Sequence, residues 1–85
     1  MRIIAFHGEA FEQFGVWAHT DRKLFDRIAR LISETAKNPF DGSGKPEPLK
    51  ADLKGYWSRR INDEHRLVDK VSDAQITIVA CKYHY

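Results

Sequence analysis

The chain has little of the material that covalent or membrane architectures require. Its 85 residues include a single cysteine, Cys81, so no disulfide can form within the chain. One thiol and four scattered histidines do not make a zinc site, and we expect neither a metal nor another cofactor. No apolar run approaches the roughly 18 residues that span a bilayer, and the apolar opening over 1–6 is too short for a secretory segment. We therefore expect a cytoplasmic protein without a membrane association.

Neither sign of charge dominates the chain. Lys and Arg number 14 and Asp and Glu number 12, which gives a formal net charge of +2 with neutral histidine. The excess lies in the second half, where residues 45–60 carry five basic and two acidic side chains. Such a mild basic patch is only weak support for a nucleic-acid partner, because a solvated surface has the same composition.

Glycine and proline are few, and their positions divide the chain. Two of each fall within 40–48, which predicts an ordered loop. Before this loop, the apolar, β-branched residues 2–6 predict a strand. Apolar residues at helical spacing then predict two helices, of which the second is capped by Thr20 and ended by Asn38-Pro39.

Three strand-like segments follow the loop, and the short turns between them require antiparallel hairpins. We therefore predict an α+β fold over 1–85 as one domain, in which a short N-terminal strand and a two-helix hairpin precede an antiparallel β-meander, with the helices on one face of the sheet. The last register is open, because a two-residue turn at Asp73-Ala74 would move His84 to the opposite face. The predicted strands are 56–61, 65–71 and 75–82, with turns at 62–64 and 72–74.

Arg60 and Arg66 form an informative pair of like charges. A three-residue turn between their strands places Arg60 directly across from Arg66 on one face of the sheet. Like charges in this arrangement repel, which suits an anion bound between them. Neutralisation by Asp63 or Glu64 is an alternative, and solvation of both arginines on an open face is the simpler explanation. Arg59 points the other way in this register and has a structural role.

Five further side chains could take part in acid–base or phosphate chemistry. Glu47 lies between two prolines that stiffen its loop, so it is either a directed proton acceptor or a plain turn residue. His84 suits a proton donor or is simply an exposed histidine. Tyr85 can stack on a base, donate a hydrogen bond or close the sheet. Lys50 and Lys54 are candidate phosphate contacts, with a solvated surface as the alternative.

A carboxylate, a histidine, two arginines and nearby lysines suit the metal-independent cleavage of RNA. RNA carries its own nucleophile, the 2′-hydroxyl, beside the phosphate that it attacks. A base removes the hydroxyl proton, an acid protonates the departing 5′-oxygen, and cations stabilise the charge that develops on the phosphate. The set therefore predicts products with a 2′,3′-cyclic phosphate and a 5′-hydroxyl.

Three blocks of the sequence resemble the YoeB toxins of the RelE/ParE superfamily. They are NPFDGSGKPEPLK over 38–50, GYWSRRINDEHRLV over 55–68 and ACKYHY over 80–85, and the similarity extends over the whole chain. The resemblance implies a RelE-like fold and a bacterial type II toxin that enters the ribosomal A site and cuts mRNA, which inhibits translation. It also implies a cognate YefM/Phd-like antitoxin, a homodimer, and binding of operator DNA only as a complex with that antitoxin.

The resemblance also implies roles for individual residues. The general base of the family falls on Glu47, the general acid on His84 and the cation that stabilises the transition state on Arg66. Three further positions of the family's active site fall on Arg60, Lys50 and Tyr85.

Two other functions are compatible with such a fold. A ParE-like poison of DNA gyrase cuts no RNA, and it has no need for the combination of Glu47, Arg66 and His84. A non-catalytic module that binds RNA or an antitoxin is favoured if Glu47 or His84 lies too far from Arg66, because an acid and a base must both reach one phosphate.

Overall fold

The computed structural model describes residues 1–83 and shows two helices packed on one face of a five-stranded mixed sheet. The strand order is β1-β5-β4-β3-β2. The predicted α+β class and element order are confirmed. Each of the four predicted strands is shorter than predicted: β1 and β4 begin one residue later, β3 ends one residue earlier and β5 ends two residues earlier. The elements are β1 (Ile3–Phe6), α1 (Gly8–Thr20), α2 (Arg22–Lys37), β2 (Glu47–Pro48), β3 (Tyr56–Arg60), β4 (Arg66–Val71) and β5 (Gln75–Ala80), with a 3-10 turn at Ala51–Leu53.

Helix α2 is capped one residue later than predicted. The Asp21 side chain accepts a hydrogen bond from the Leu24 N–H at 3.1 Å and so caps the helix. The prediction of Thr20 as the cap is wrong, because Thr20 still belongs to α1 and its hydroxyl donates to the Val16 carbonyl at 2.9 Å. Neither helix within residues 1–83 has the length and apolarity needed to cross a membrane. The buried residues of α2 recur at helical spacing and are Ile28, Leu31, Ile32, Thr35 and Ala36.

The hydrophobic core lies between the helices and the sheet. Ala10 and Trp17 of α1 pack there with Ile76 and Ile78 of β5, which alternate along the strand and so share one face. Cys81 is also fully buried in this core. The opposite face of the sheet is therefore the one on which polar side chains can meet a ligand.

The sequence predicted neither the pairing of the edge strand β1 nor the existence of the edge strand β2. β1 runs parallel to β5, which makes the sheet mixed. At the other edge, Glu47 and Pro48 form a short strand, β2, which pairs with β3 inside the predicted loop. Proline is tolerated there because an edge strand needs hydrogen bonds on one side only.

The β4–β5 hairpin closes through a two-residue turn. Ser72 N–H donates to the Gln75 carbonyl at 2.9 Å, so the loop consists of Asp73 and Ala74, and the predicted three-residue turn is wrong. A bulge between Val68 and Asp69 then shifts the register by one residue, which pairs Val68 with Ala80. The extra residue of the bulge returns the side chains that follow it in β5 to the faces of the sheet on which a three-residue turn would have placed them.

Candidate active site

Arg60 of β3 and Arg66 of β4 are direct partners across the two strands, as predicted. Directly opposed residues of antiparallel strands have Cβ atoms about 4.5–5.5 Å apart on the same face. Arg60 Nη2 donates to Asp63 Oδ1 at 2.8 Å, and Arg66 Nη1 donates to the carbonyls of Asn62 at 2.8 Å and His65 at 3.1 Å. Since Asp63 is the one carboxylate paired with either guanidinium in residues 1–83, the pair keeps net positive charge.

The turn between β3 and β4 is shaped by Asn62. Its Oδ1 atom accepts hydrogen bonds from the backbone N–H groups of Glu64 at 2.9 Å and His65 at 2.7 Å. An asparagine side chain that bonds the backbone in this way stabilises a turn. The turn has three residues, as predicted, and this length is what brings Arg60 opposite Arg66.

Glu47 lies on the same face of the sheet as the two arginines. It pairs with Ser58 of β3, and Ser58 shares a face with Arg60 two positions further along. Diagonal neighbours of this kind are about 7–8 Å apart, which long side chains can span. The Glu47 side chain is exposed, so its carboxylate is open to a substrate held by Arg60 and Arg66.

The path of the chain into Glu47 depends on Gly44. The Gly44 carbonyl accepts a hydrogen bond from the Arg60 N–H at 2.7 Å. Gly44 has a φ of +84°, and a Cβ atom there would lie 2.9 Å from the Arg60 carbonyl oxygen. A residue without a side chain is therefore required for the loop to pass this close to β3.

Arg59 holds the same loop from the buried side of the sheet, as its opposite orientation predicted. Its Nη2 atom donates to the carbonyls of Asn38 at 2.7 Å and Asp41 at 2.8 Å, and Nη1 donates to the Ser43 carbonyl at 3.0 Å. Burial lowers the pKa of the Arg59 guanidinium, although Asp69 and other carboxylates nearby favour its charged form. Arg59 thus supports the loop before Glu47 and does not reach the candidate site.

Lys50 and Lys54 are not brought together with the arginines. They flank the 3-10 turn in the connection between β2 and β3. This connection enters β3 at Tyr56, whereas Arg60 is at the other end of the strand, about 13 Å away at the usual strand rise. The two lysines therefore lie at the opposite end of the face that carries Glu47.

An open cleft of about 760 Å³ adjoins this second end of the face. Its lining includes Leu53, Tyr56, Lys82 and Tyr83, together with Glu9 of α1. Tyr83 is 59% exposed, and the Lys82 Nζ atom lies 5.2 Å from the centre of its ring. Exposed aromatic rings beside a cation are suited to a nucleobase and its phosphate.

His84 and Tyr85, the predicted general acid and terminal tyrosine, lie outside the described residues. The chain that leads to them is described. The Tyr83 carbonyl accepts a hydrogen bond from the Arg66 N–H at 3.0 Å, so the residue before His84 is bonded to one of the candidate catalytic residues. Within residues 1–83, no cluster of three or more His, Cys, Asp or Glu side chains could hold a metal ion.

The sequence did not reveal the role of His65. Its side chain is buried, and its Nδ1 atom accepts a hydrogen bond from the Tyr83 N–H at 2.7 Å. Its ring also meets that of Trp17 edge-on, with the centroids 4.9 Å apart. The one signal in the sequence was its position at a hairpin corner, directly before Arg66. A histidine that is buried at such a corner needs a polar partner.

The comparison with known proteins is consistent with this geometry. The profile of a family described as YoeB-like toxins of bacterial type II toxin–antitoxin systems matches residues 6–85. The chain belongs to this family. Toxin YoeB of Streptomyces coelicolor is 56% identical to it over 82 residues, which cover 96% of this chain and 98% of the relative. The resemblance carried by the three sequence blocks is confirmed, and the protein is a toxin of a type II toxin–antitoxin system.

Two solved structures from Staphylococcus aureus share the fold of this YoeB-like toxin. A YoeB dimer superposes with a TM-score of 0.90 at 46% identity, covering 99% of this chain and 98% of the other. A YoeB–YefM complex superposes with a TM-score of 0.88 at 44% identity, covering 100% and 99%. The predicted RelE-like architecture is therefore that of the family.

Proposed function

We propose that this toxin is a ribosome-dependent endoribonuclease that cuts mRNA in the ribosomal A site and so inhibits translation. The observation that supports it most is the shared sheet face of Glu47, Arg60 and Arg66. A phosphate between the two guanidinium groups relieves their repulsion. A carboxylate at their side is within reach of the neighbouring 2′-hydroxyl.

In the proposed reaction, Glu47 takes the proton of the 2′-hydroxyl and the 2′-oxygen attacks the phosphorus. Arg66, assisted by Arg60, holds the non-bridging oxygens, on which negative charge increases. The bond from phosphorus to the 5′-oxygen breaks, and His84 donates a proton to that oxygen. The products are a 2′,3′-cyclic phosphate and a 5′-hydroxyl. Tyr85, the next residue, orients the departing nucleotide by stacking or by a hydrogen bond.

The RNA strand in this proposal follows the face from one end of β3 to the other. Its reacting phosphate lies at Arg60 and Arg66, and flanking phosphates lie near Lys50 and Lys54. The cleft beside Tyr56 is large enough to take a base. Phosphate contacts along the strand supply affinity, and the stacking contacts tolerate different bases.

The requirement for the ribosome follows from the openness of the site. Glu47 lies on an exposed edge strand, and no described element covers it to hold a substrate in place. Orientation of a reactant can be worth many orders of magnitude in rate. We therefore infer that the decoding site supplies the orientation, and that naked mRNA is cut much more slowly than ribosome-bound mRNA. Equal rates on both substrates would contradict this dependence.

We also propose that the toxin binds a YefM/Phd-like antitoxin, forms a homodimer, and contacts operator DNA only as a complex with that antitoxin. The Staphylococcus aureus structures support the first two, since one is a dimer and another contains YefM. Apolar side chains on the surface, among them Ile3 at 63% and Phe11 at 64% exposure, offer area for protein partners. A function at the ribosome places the toxin in the cytoplasm.

The decisive experiment is translation in vitro with mapping of mRNA 5′ ends by primer extension. Wild type should produce discrete cuts at the A-site codon. Glu47→Gln keeps the shape of the side chain and removes the base, so the cuts should disappear. Glu12→Gln, an exposed position of α1, is the matched control and should cut like wild type. Cuts that persist in Glu47→Gln would remove Glu47 from the base role, and a wild type without cuts would contradict the nuclease proposal.

A further inference from the structure

The chain beyond β5 is held by side chains of α1. β5 ends at Ala80, and the next residue, Cys81, has both of its backbone groups bonded to this helix. Gln13 Oε1 accepts a hydrogen bond from the Cys81 N–H at 2.8 Å. Trp17 Nε1 donates to the Cys81 carbonyl at 2.9 Å. Two side chains one helical turn apart therefore continue the support that the sheet no longer provides.

A second pair of hydrogen bonds holds the chain two residues further on. Tyr83 N–H donates to His65 Nδ1 at 2.7 Å, and the Tyr83 carbonyl accepts from the Arg66 N–H at 3.0 Å. Tyr83 has a φ of +66°, in the left-handed region that a tyrosine rarely adopts. Such a conformation persists only where its surroundings impose it, and it occurs preferentially at functional sites.

His65 connects the two pairs. Because Nδ1 accepts a hydrogen bond, the ring proton is on Nε2, which lies 3.6 Å from Glu64 Oε1. The ring also packs edge-on against Trp17, the donor to Cys81. The contacts of α1 and of β4 with the last described residues thus form one continuous cluster.

We propose that Gln13, Trp17 and His65 are positioning residues that fix the backbone leading into His84. His84 follows Tyr83 directly in the sequence, so the four hydrogen bonds set the point and the direction from which the chain enters it. A backbone segment past the end of its strand moves freely unless it is tied down. A general acid must be held close to the oxygen that it protonates, and displacement by about 1 Å can reduce a rate by a factor of about 100.

The catalytic consequence of this inference rests on the proposed nuclease function. Its structural part, the fixing of the backbone at residues 81–83, can be tested without RNA. A simpler explanation is that Gln13 and Trp17 only satisfy buried polar groups of Cys81, as any folded protein requires. The two explanations differ in what they predict. Positioning requires that loss of one hydrogen bond loosens the segment and slows the chemical step, while the fold and the affinity for RNA remain.

The test compares variants that lose a hydrogen-bond acceptor with variants that keep it. Gln13→Leu removes the acceptor for the Cys81 N–H, whereas Gln13→Glu retains a side-chain oxygen at the same position. His65→Leu removes the acceptor for the Tyr83 N–H, whereas the side-chain oxygen of His65→Asn can stand near the position of Nδ1. Trp17→Phe keeps an aromatic ring without a donor, and it serves as a further variant if a leucine substitution fails to fold.

The first measurement is nitrogen-15 relaxation of the Lys82 and Tyr83 amides in the free toxin. We expect order parameters near about 0.85 in wild type and below about 0.6 in Gln13→Leu and His65→Leu, with values near wild type in Gln13→Glu and His65→Asn. Unchanged rigidity of these amides in folded Gln13→Leu and His65→Leu would overturn the proposal, whatever the activity.

The second measurement is single-turnover cleavage of ribosome-bound mRNA, together with the affinity for ribosomes. The leucine variants should lose about tenfold or more in the rate constant and keep the affinity within about twofold, and the acceptor-retaining variants should recover the rate. A full rate in the leucine variants, with an active wild type, would refute the positioning role. An inactive wild type would instead refute the nuclease function, and the amide relaxation would still decide whether the segment is fixed by these residues.

Discussion

Arg60 and Arg66 lie opposite each other on adjacent strands although both side chains are cationic. Each is anchored on the turn that joins the strands, Arg60 by Asp63 and Arg66 by the carbonyl of Asn62. The Asp63 side chain is fully exposed, so its ion pair contributes little to stability. The arrangement therefore retains repulsion that a bound phosphate would relieve, which is expected of a site whose geometry serves a ligand.

Replacing Arg60 should separate the effects on stability and on binding. In Arg60→Gln we expect the free energy of unfolding in urea to stay within about 0.5 kcal/mol of wild type or to rise, because the repulsion is removed. Binding of an uncleavable RNA should weaken, and its salt dependence should decrease by about 0.7 in slope as one phosphate contact is lost. Arg22→Gln on α2, where the arginine pairs with Asp26 at 3.4 Å, is the control and should leave RNA binding unchanged.

Two glycines should respond to alanine in opposite directions. Gly44→Ala should lower the free energy of unfolding by about 1–3 kcal/mol, because φ is +84° and the new Cβ atom would meet the Arg60 carbonyl. It should also slow cleavage, since the loop leads into Glu47. Gly15→Ala lies in open space inside α1 and should raise the free energy of unfolding by up to about 1 kcal/mol. Urea denaturation of both variants tests the pair, and a neutral Gly44→Ala would contradict the close approach.

The arginine pair could be predicted from sequence because it depends on local features alone. The residues between β3 and β4 include an asparagine suited to a turn, and the alternation of a strand then sets which side chains are opposed. The β4–β5 hairpin shows the limit of this reasoning. Its two-residue turn and its bulge at Val68 and Asp69 each shift the strand register by one residue. No pattern in the amino-acid sequence distinguishes this combination from a three-residue turn without a bulge.

The residues that hold the chain after β5 could not be predicted, for a different reason. Gln13 and Cys81 are 68 positions apart, and their hydrogen bond exists only once α1 has packed on the sheet. In the sequence, nothing distinguishes Gln13 from the other polar residues of an amphipathic helix. The sequence leaves His65 ambiguous, because a hairpin corner is exposed but this one is close to Arg66. Only the fold shows that its ring is buried against Trp17. The roles of both residues therefore depend on tertiary packing and not on the spacing of residues in the sequence.

The Cys81 thiol should report opening of the structure. It is fully buried, and burial raises the pKa of Cys81 to about 12, so very little thiolate exists near neutral pH. A thiol-specific reagent such as Ellman's should therefore react with the folded toxin at least about 1,000-fold more slowly than with the toxin in denaturant. An exposed thiol in the double variant Cys81→Ser, Ser72→Cys should react at once. Fast reaction of wild type would show that the segment at Cys81 opens readily.

The burial of Asp69 should make the free energy of unfolding of the toxin decrease as the pH rises towards neutrality. Its side chain is fully buried in β4, and neither carboxylate oxygen has a hydrogen-bond partner within residues 1–83. Burial raises the pKa of Asp69 from 3.8 to about 7, although the nearby Arg59 opposes the shift. The folded state therefore binds more protons than the unfolded state between about pH 4 and pH 7. The contribution of this group to the free energy of unfolding is present at the acidic end of that window and is lost as the pH rises.

Asp69→Asn should remove this dependence, because the amide resembles the protonated carboxyl in shape and carries no charge at any pH. In wild type the unfolded chain is already mostly ionised at this position at pH 5, whereas the folded protein ionises only as the pH approaches 7. From pH 5 to pH 8 the free energy of unfolding of wild type should therefore fall by about 2–3 kcal/mol relative to that of the variant. Urea denaturation at both values tests this, with Asp73→Asn, exposed in the β4–β5 turn, as the control. If wild type and Asp69→Asn change in parallel between the two pH values, Asp69 does not titrate in the folded toxin and Arg59 keeps it ionised.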